Sequence, residues 1–397
     1  MTYSIGLSPS SSFWTRPMLG AVGTSVGGSM LFILVPLLVE GLRTGATQFT
    51  AREAGLVASS GTFGMFLGAI AALLLVSVGQ RQAAMGGALA LLAGNLGCIA
   101  ASSVTLLALC CLLAGFGGGL MLGVGHAAMS RSAAAERAYA LFLVTQTLLA
   151  SLLIFVLSKL GLTGHAPAFI ASTVVLLLTL PSVFWLPEKM ADDGNRSAKR
   201  PPFPISSRFA ALIVLTFALW GTVLLGMWSF VETVASANGL DQAAFSRALS
   251  IALIGGLICA MTIVVIGTRL GRILPLLVLG APYFLALIMF ATPLSAIAFL
   301  IAAFLFQFGT QAASYVFGSC VEIEELGRPG ILYLLGLKGG FALGPVVGAL
   351  IIESAGMPGL LKFSAIGGVI SFALFTWIIV LAVQARQMRL SPASPGA

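Results

Sequence analysis

The stretch "LPEKMADDGNRSAKRPPFPISSR", from Leu186 to Arg208, decides how this chain of 397 residues is organised. It is the one long polar segment, and it lies almost midway between two stretches dominated by apolar runs. Its prolines and basic residues are typical of a linker rather than of a helix. The sequence therefore predicts an N-terminal part (1–185), a linker (186–208) and a C-terminal part (209–397).

Composition places both parts in a membrane. The chain is 59% hydrophobic and only 8% charged, whereas soluble proteins carry about 25% charged residues. Apolar runs of about 20 residues recur throughout, and each is long enough to span a ~30 Å hydrocarbon core. We therefore expect an all-α polytopic membrane protein, because a membrane barrel would show alternating strands of about ten residues instead. The cysteines fall in or at the ends of these runs and form no metal-binding pattern.

The apolar runs predict twelve transmembrane helices, six on each side of the linker. Their expected ranges are 16–40, 54–77, 82–101, 104–128, 137–159, 166–186, 208–234, 243–267, 273–291, 294–319, 330–352 and 359–384. An even number of helices places both termini on the same side of the membrane.

The basic residues predict which side that is. One set of loops and termini carries 14 lysines and arginines, and the opposite set carries 5, with Lys338 left inside a helix. The positive-inside rule then places both termini and the linker in the cytoplasm. The net charge of +8 is explained by these loops, so we expect no nucleic-acid partner. Short loops and a compact chain favour a bacterial inner membrane.

The two parts share an order of features that indicates an internal repeat. The first helix of each ends near a glutamate, Glu40 or Glu232, and an arginine heads the next helix, Arg52 or Arg247. A glycine-bearing apolar run follows in both parts. Duplicated bundles of this kind are typical of secondary transporters.

Two short loops carry a more specific signal. "GTRLGRILP", Gly267 to Pro275, follows the predicted eighth helix, and "VSVGQRQAAMGG", Val76 to Gly87, follows the second. With these loops the chain resembles the major facilitator superfamily, in which each half carries Gly-x-x-x-Asp-Arg-x-Gly-Arg-Arg at this place. The matching residues are Arg269, Gly271 and Arg272 in the second loop and Gly79 and Arg81 in the first.

The resemblance implies two six-helix bundles around a midplane cavity, which rock to expose the cavity to each side in turn. It also implies that the matching loop residues form part of a cytoplasmic gate. The motif's aspartate is replaced by Thr268 in one loop and Val76 in the other. The alternative interpretation is that these arginines only anchor the loops in the cytoplasm.

Glycine-rich helices predict close helix packing. "LLGLKGGFALGPVVGALI", Leu334 to Ile351, contains Gly-x-x-x-Gly-Pro-x-x-Gly, which looks like the superfamily's antiporter motif. That motif belongs to the fifth helix, where this chain has no Gly-Pro, so we favour a packing role. The fourth helix carries "GFGGGLMLGVGHAAMSR", Gly115 to Arg131, and its expected partners are Gly61, Gly64 and Gly68.

Ionisable residues inside a membrane are functional candidates by default. Lys338 lies ten residues after Arg328, which places it ~12 Å inside the predicted cytoplasmic boundary. We expect it to face the central cavity and to meet an anionic substrate group or a carboxylate. The alternative is a lysine whose side chain extends to the cytoplasm and only orients its helix.

Three further ionisable residues join Lys338. Glu40 lies 24 residues after Arg16, and Glu232 lies 24 residues after Arg208, so the two share one depth. They are candidates for proton carriers or an outer gate, or else they are wetted helix ends. Trp228 lies one turn from Glu232 and could wall a cavity. His126 suits proton coupling by its titration range, although a hydrogen-bonded structural histidine is the favoured interpretation.

Neutral polar residues complete the candidate pathway. Gln307, Gln311 and Tyr315 recur every four residues and so share one helix face, which should turn toward a solute path. Gln146 occupies the related position on the fifth helix. Hydrogen bonding between helices is an equally good explanation for these residues.

Together these features favour a secondary active transporter of a small solute, an amphipathic organic anion in our interpretation, with protons as a candidate coupling ion. Efflux of lipophilic compounds is the alternative within transport, and a non-transporting sensor or assembly protein is the alternative outside it. No catalytic constellation or phosphate-binding loop is found, so we expect no enzyme activity, no metal and no cofactor. We expect a monomer whose partners are its substrate and the lipid bilayer.

Overall fold

The computed structural model describes residues 15–45, 48–75, 79–129, 135–160, 164–188, 207–266, 269–316, 319 and 328–390. These residues form helices and turns and no β-strand. Most of the linker, the first 14 residues and the loop that follows the fourth predicted helix lie outside the described residues. The predicted all-α architecture is confirmed.

We number the α-helices in chain order. The helices before the linker, called the N-group, are α1 Arg16–Ile33, α2 Val35–Thr44, α3 Ala51–Leu75, α4 Gln80–Ala100, α5 Val104–Met129, α6 Ala135–Lys159 and α7 Ala166–Val183. Those after it, called the C-group, are α8 Ser207–Ser229, α9 Val231–Ala237, α10 Gln242–Ile266, α11 Ile273–Phe290, α12 Ala296–Thr310 and α13 Arg328–Leu390. A 3₁₀ turn, Gln311–Ala313, continues α12.

The helix α13 is two predicted helices joined at a kink. Gly356 has φ 66° and ψ −172°, a backbone conformation that favours glycine because it lacks a Cβ. Eleven helical segments of the described residues are long and apolar enough to span a membrane, and the last of them, Leu335–Gln384, has 50 residues. Since 50 residues would extend ~75 Å as one helix, the kink divides this segment into two spans. The predicted count of twelve agrees with this division.

The first helix of each group is broken rather than continuous, which the sequence prediction missed. α1 ends at Ile33 and α2 resumes at Val35, with Pro36 in its first turn. Pro36 has no N–H to continue the α1 hydrogen-bond ladder, which accounts for the break. In the C-group, α8 gives way to α9 at Phe230. Ser229 donates there to the Leu225 carbonyl oxygen at 2.7 Å, a side-chain bond of the type that bends helices.

Glycines bring particular helix pairs into backbone contact. A Cβ built on Gly64 or Gly68 of α3 would overlap the α5 backbone, and one on Gly115 would overlap the carbonyl oxygen of Gly61. α8 and α13 meet in the same way, where a Cβ on Gly340 would overlap the Ala218 carbonyl oxygen. The expected partnership of α3 with α5 is confirmed, and the Gly-Pro motif of α13 lies at a packing contact.

The most extensive contacts between the two groups are those of α3 with α13 and of α6 with α10. Large apolar side chains face outward elsewhere, including Leu74 and Leu178 of the N-group and Leu215 and Ile297 of the C-group. Exposed leucine and isoleucine on the outside of a helical assembly are what a lipid environment requires. The protein is a multi-pass membrane protein with an interior enclosed between the groups.

Candidate functional site: a cavity between the two groups

A cavity of about 220 Å³ lies where the two groups meet. The N-group supplies residues of α1 and α6, and the C-group supplies residues of α8, α10, α12, the 3₁₀ turn and α13. Its lining side chains are mostly aromatic or aliphatic, and its amide-bearing and hydroxyl-bearing members are Gln146, Thr147, Gln307, Thr310, Gln311, Ser314 and Tyr333. No lining residue is acidic or basic. An apolar pocket with a few polar groups is the usual form of a small-molecule site.

Six aromatic side chains contribute to the cavity wall. Phe32, Phe217, Trp220, Tyr333 and Phe341 line the cavity, as does Trp228. Trp228 stacks on Phe306 with ring centroids 5.9 Å apart and planes inclined by 6°, so its indole is held in a fixed orientation. The prediction that Trp228 walls a cavity agrees with this placement. Such a wall offers flat faces to a planar or lipophilic solute.

The amides reach the cavity from opposite groups. Gln146 comes from α6, and Gln307 and Gln311 come from α12 and the 3₁₀ turn that follows it. The structure thus places three of the four predicted neutral polar residues together. Because the two groups both contribute amides, a solute bound here would touch both.

Tyr315 departs from the face predicted for it. It is only 4% exposed, its hydroxyl has no hydrogen-bond partner among the described residues, and Ser314 lines the cavity in its place. The reason is the 3₁₀ turn at Gln311–Ala313. A 3₁₀ helix advances about 120° per residue instead of 100°, so three such residues rotate the following positions by about 60°. The regular four-residue spacing therefore ends at Gln311.

Lys338 lies on α13 between two lining residues, Leu337 and Phe341. Its Nζ lies 4.9 Å from the ring centroid of Phe32 and 5.4 Å from that of Phe341. Phe32 belongs to the N-group and Phe341 to the C-group, and their centroids are 4.9 Å apart. Among the described residues no carboxylate is within ion-pair distance of Lys338. Two aromatic faces therefore stabilise the ammonium. A carboxylate partner was one of the two expectations for Lys338, and aromatic rings take its place.

His126 lies outside the lining of this cavity. Its Nδ1 is 2.7 Å from the Leu122 carbonyl oxygen, and its ring packs against Phe142. Tyr139 donates to the backbone carbonyl oxygen of His126 at 3.0 Å. These contacts fit the favoured interpretation of a hydrogen-bonded structural histidine that joins α5 to α6.

Glu40 and Glu232 lie on α2 and α9, the short helices that follow the two breaks. The Oε2 atom of Glu232 is buried and has no hydrogen-bond partner among the described residues. The two glutamates are 7% and 3% exposed. Their burial excludes the interpretation as wetted helix ends, and their roles as proton carriers or an outer gate stay predictions.

Several hydrogen bonds between the two groups were not predicted. Arg43 Nη1 donates to Thr233 Oγ1, the backbone N–H of Val346 donates to Ser59 Oγ at 3.0 Å, and the backbone N–H of Arg52 donates to Glu353 Oε1 at 2.9 Å. Arg43 could have been found from its spacing, because it lies three residues after Glu40 on one helix face. The backbone donors leave no signal in a sequence.

Comparison with known proteins identifies the architecture. The sequence profile of the Major Facilitator Superfamily matches residues 18–323. The chain belongs to the Major Facilitator Superfamily. It is a transporter of that superfamily, and the resemblance noted in its loops is confirmed. No curated protein matches the chain in sequence.

Solved structures of other transporters share the fold. The nucleoside transporter NupG superposes with a TM-score of 0.65 at 14% identity, covering 94% of this chain and 99% of NupG. A mutant of the peptide transporter POT superposes with a TM-score of 0.69 at 13% identity, covering 96% of this chain and 97% of POT. At such identities the comparison establishes the fold of this superfamily member and leaves its substrate open.

The superfamily loops hold helices within each group. Arg81 Nη1 lies 2.7 Å from Glu188 Oε1, and its Nη2 donates to the Leu186 carbonyl oxygen at 3.1 Å, which fastens α4 to the end of α7. In the second loop Arg272 donates to Ser319 Oγ at 3.3 Å. Gly79 and Gly271 have φ 156° and 71°, angles that favour glycine. Arg269 is exposed to solvent.

Proposed function

We propose that this protein is a secondary active transporter that moves a small amphipathic organic anion across the membrane by alternating access, with protons as the coupling ion. Two six-helix bundles, joined by the linker at 186–208, would rock about the cavity. The expected setting is a bacterial inner membrane, with both termini in the cytoplasm and the protein acting as a monomer.

The observation that carries this proposal is the position of Lys338 beside the cavity. Its ammonium rests on Phe32 and Phe341, two residues of the cavity wall, and the lining itself has no charged residue. A carboxylate or sulfonate at this edge would gain a charge-assisted contact that a neutral solute lacks. The aromatic wall would hold the apolar remainder of the same molecule, and the glutamines would orient its polar groups.

The apolar character of the wall supports one alternative, the export of lipophilic compounds. A lipophilic cation would meet the aromatic faces of Trp228 and Phe217, but it would also meet the repulsion of Lys338. A neutral lipophile would not. A third possibility, a sensor or assembly protein with this fold, predicts ligand binding without movement.

Uptake into proteoliposomes distinguishes these functions. The solutes would be benzoate and octanoate as anions, benzamide as the neutral counterpart of benzoate, and tetraphenylphosphonium as a lipophilic cation, each with and without a pH gradient. Gradient-dependent movement of the anions alone supports the proposal. Movement of benzamide or tetraphenylphosphonium alone supports lipophile export, whereas binding without movement of any solute supports the sensor.

A further inference from the structure

The volume of the cavity limits the size of the solute that it can enclose. Its 220 Å³ hold roughly seven water molecules at about 30 Å³ each. Covalently bonded atoms lie closer together than separate waters do, so the same space takes an organic solute of about ten non-hydrogen atoms. One six-membered ring with a carboxylate and a small substituent has this size. A nucleoside, or two fused rings with a carboxylate, would need more space.

The charge around the cavity sets a second limit. No lining residue is acidic or basic, and the ammonium of Lys338 supplies one positive charge at the edge, next to Phe32 and Phe341. A single carboxylate would be compensated by this ammonium. A second carboxylate on the same solute would lie among apolar side chains without a counter-charge, which is strongly unfavourable. The cavity therefore suits a monoanion.

The aromatic wall favours a flat solute. Phe306 does not line the cavity, and it covers one face of the Trp228 indole, so the cavity meets the other face or the edge of that indole. An aromatic solute gains stacked or edge-to-face contacts with such a surface beyond the burial of its area. A saturated ring of the same size is puckered and lacks these contacts.

A glycine lies in the middle of the cavity face of α10. The residues of α10 that line the cavity follow helical spacing and so share one face: Leu253, Gly256, Leu257 and Ala260. A Cβ built on Gly256 would lie 3.4 Å from Gln311 Nε2 and 3.5 Å from the Gln307 carbonyl oxygen. Because glycine has no Cβ, the space beside the Gln311 amide stays open to a solute.

Helix packing does not explain this glycine. Both distances are those of ordinary van der Waals contacts, so alanine would fit at position 256 against α12. The preceding residue differs, because a Cβ on Gly255 would lie only 2.6 Å from the Phe304 carbonyl oxygen. Alanine is also the better helix former. Close packing thus requires glycine at position 255, whereas at position 256 it is the cavity that gains from the missing side chain.

We propose that the solute is a single-ring aromatic monocarboxylate and that Gly256 is a specificity-determining residue, which admits the ring beside the Gln311 amide. The carboxylate would pair with Lys338, and the aromatic wall would enclose the ring. This inference rests on the proposed function and narrows its organic anion to one class by size, charge and shape.

Isothermal titration calorimetry of the purified full chain tests the class of solute with matched carboxylates. Benzoate and 4-methylbenzoate should bind. Terephthalate, which adds a second charge, and 2-naphthoate, which adds a second ring, should each bind at least tenfold more weakly than benzoate. Cyclohexanecarboxylate, the saturated counterpart of benzoate, should bind about fivefold more weakly.

The outcomes separate this inference from the proposed function. Binding of terephthalate, 2-naphthoate or cyclohexanecarboxylate as tight as that of benzoate would overturn the single-ring aromatic monocarboxylate and leave anion transport standing. Binding of none of these carboxylates by the native protein would refute the proposed function itself.

Two variants of α10 test the role of Gly256. Gly256→Ala places a methyl group beside the Gln311 amide and should weaken benzoate binding about tenfold, with a thermal unfolding midpoint no lower than that of the native protein. Gly86→Ala is the matched control, because a Cβ there would meet nothing within 4 Å, and it should bind benzoate as the native protein does. Native affinity in Gly256→Ala would overturn the role of this residue.

Leu257→Ala gives the opposite change, because it enlarges the cavity next to Gly256. Its affinity for 2-naphthoate should rise about tenfold relative to its affinity for benzoate. Such a gain cannot arise from partial unfolding. An unchanged ratio of the two affinities in Leu257→Ala would show that this face of α10 does not set the size limit.

Discussion

The ammonium of Lys338 lies 4.9 Å from the ring centroid of Phe32, a residue of the opposite helix group. The contact joins α13 to α1 beside the cavity, and the ring of Phe341 packs against the same ring at a tilt of 37°. A charge held by aromatic faces is less satisfied than one held by a carboxylate, since a cation–π contact contributes about 0.5–2 kcal/mol. The ammonium is therefore available to an anionic group that enters the cavity.

Replacing this charge should reduce anion transport. Lys338→Gln removes a charge-assisted contact of about 1.5–3 kcal/mol, so uptake of benzoate at low concentration should fall about tenfold or more. Lys362→Gln is the matched control, because Lys362 is an exposed lysine on the same helix α13. Equal benzoate uptake by native protein and Lys338→Gln would make Lys338 structural.

The amides of the cavity should contribute to affinity. Gln311→Leu keeps the approximate size of the side chain but removes its hydrogen-bonding groups. Binding should lose about 1 kcal/mol of free energy, so we expect the dissociation constant to increase about fivefold. Quenching of Trp228 fluorescence would report binding, since Trp228 lies in the same wall. Gln384→Leu, at an exposed position of α13, should bind as the native protein does. Unchanged affinity in Gln311→Leu would place the solute elsewhere.

The sequence predicts the helical class and the number of spans, because both follow from apolar length and regular helical rise. It does not predict the breaks at Leu34 and Phe230 or the 3₁₀ turn after Thr310. A local change of helical geometry leaves hydrophobicity unaltered, so its only signal is a residue such as Pro36. The predicted placement of Tyr315 on the cavity face was wrong for that reason.

The aromatic wall was also missed, and for a different reason. Phe217, Trp220 and Tyr333 are ordinary apolar-run residues in the sequence, and a phenylalanine that faces lipid has the same spacing as one that faces a cavity. Only the tertiary arrangement distinguishes the two environments. The contact of Lys338 with Phe32 joins residues 306 positions apart (338 minus 32), which no local pattern can reveal.

Alanine substitutions should distinguish glycines at close helix contacts from glycines that face open space. A Cβ at Gly115 would overlap the Gly61 carbonyl oxygen, whereas one at Gly86 would meet nothing within 4 Å. Gly115→Ala should therefore cost about 1–3 kcal/mol through overpacking and lower the thermal unfolding midpoint in detergent. Gly86→Ala should leave the midpoint unchanged or raise it, because alanine is the better helix former. A Gly115→Ala protein as stable as Gly86→Ala would show that α3 and α5 can separate without cost.

A cross-link between the two groups should arrest transport with the predicted outer face closed. Ser59 Oγ accepts the Val346 N–H at 3.0 Å, so cysteines at these two positions are close enough for a disulfide after small adjustments. Alternating access requires this contact to open, and we therefore expect oxidised Ser59→Cys/Val346→Cys protein to lose uptake and to regain it on reduction.

The matched control for this cross-link is Ser60→Cys/Val346→Cys. Ser60 is the next residue of α3, and its hydroxyl donates to the Leu56 carbonyl oxygen of its own helix at 2.9 Å, so a cysteine there points away from Val346. The control should transport equally before and after oxidation. Because it contains the same native cysteines, it also shows whether their oxidation alone changes uptake. Full uptake by oxidised, cross-linked Ser59→Cys/Val346→Cys protein would mean that α3 and α13 stay together throughout the transport cycle. The expectation that rocking separates these two helices would then be wrong.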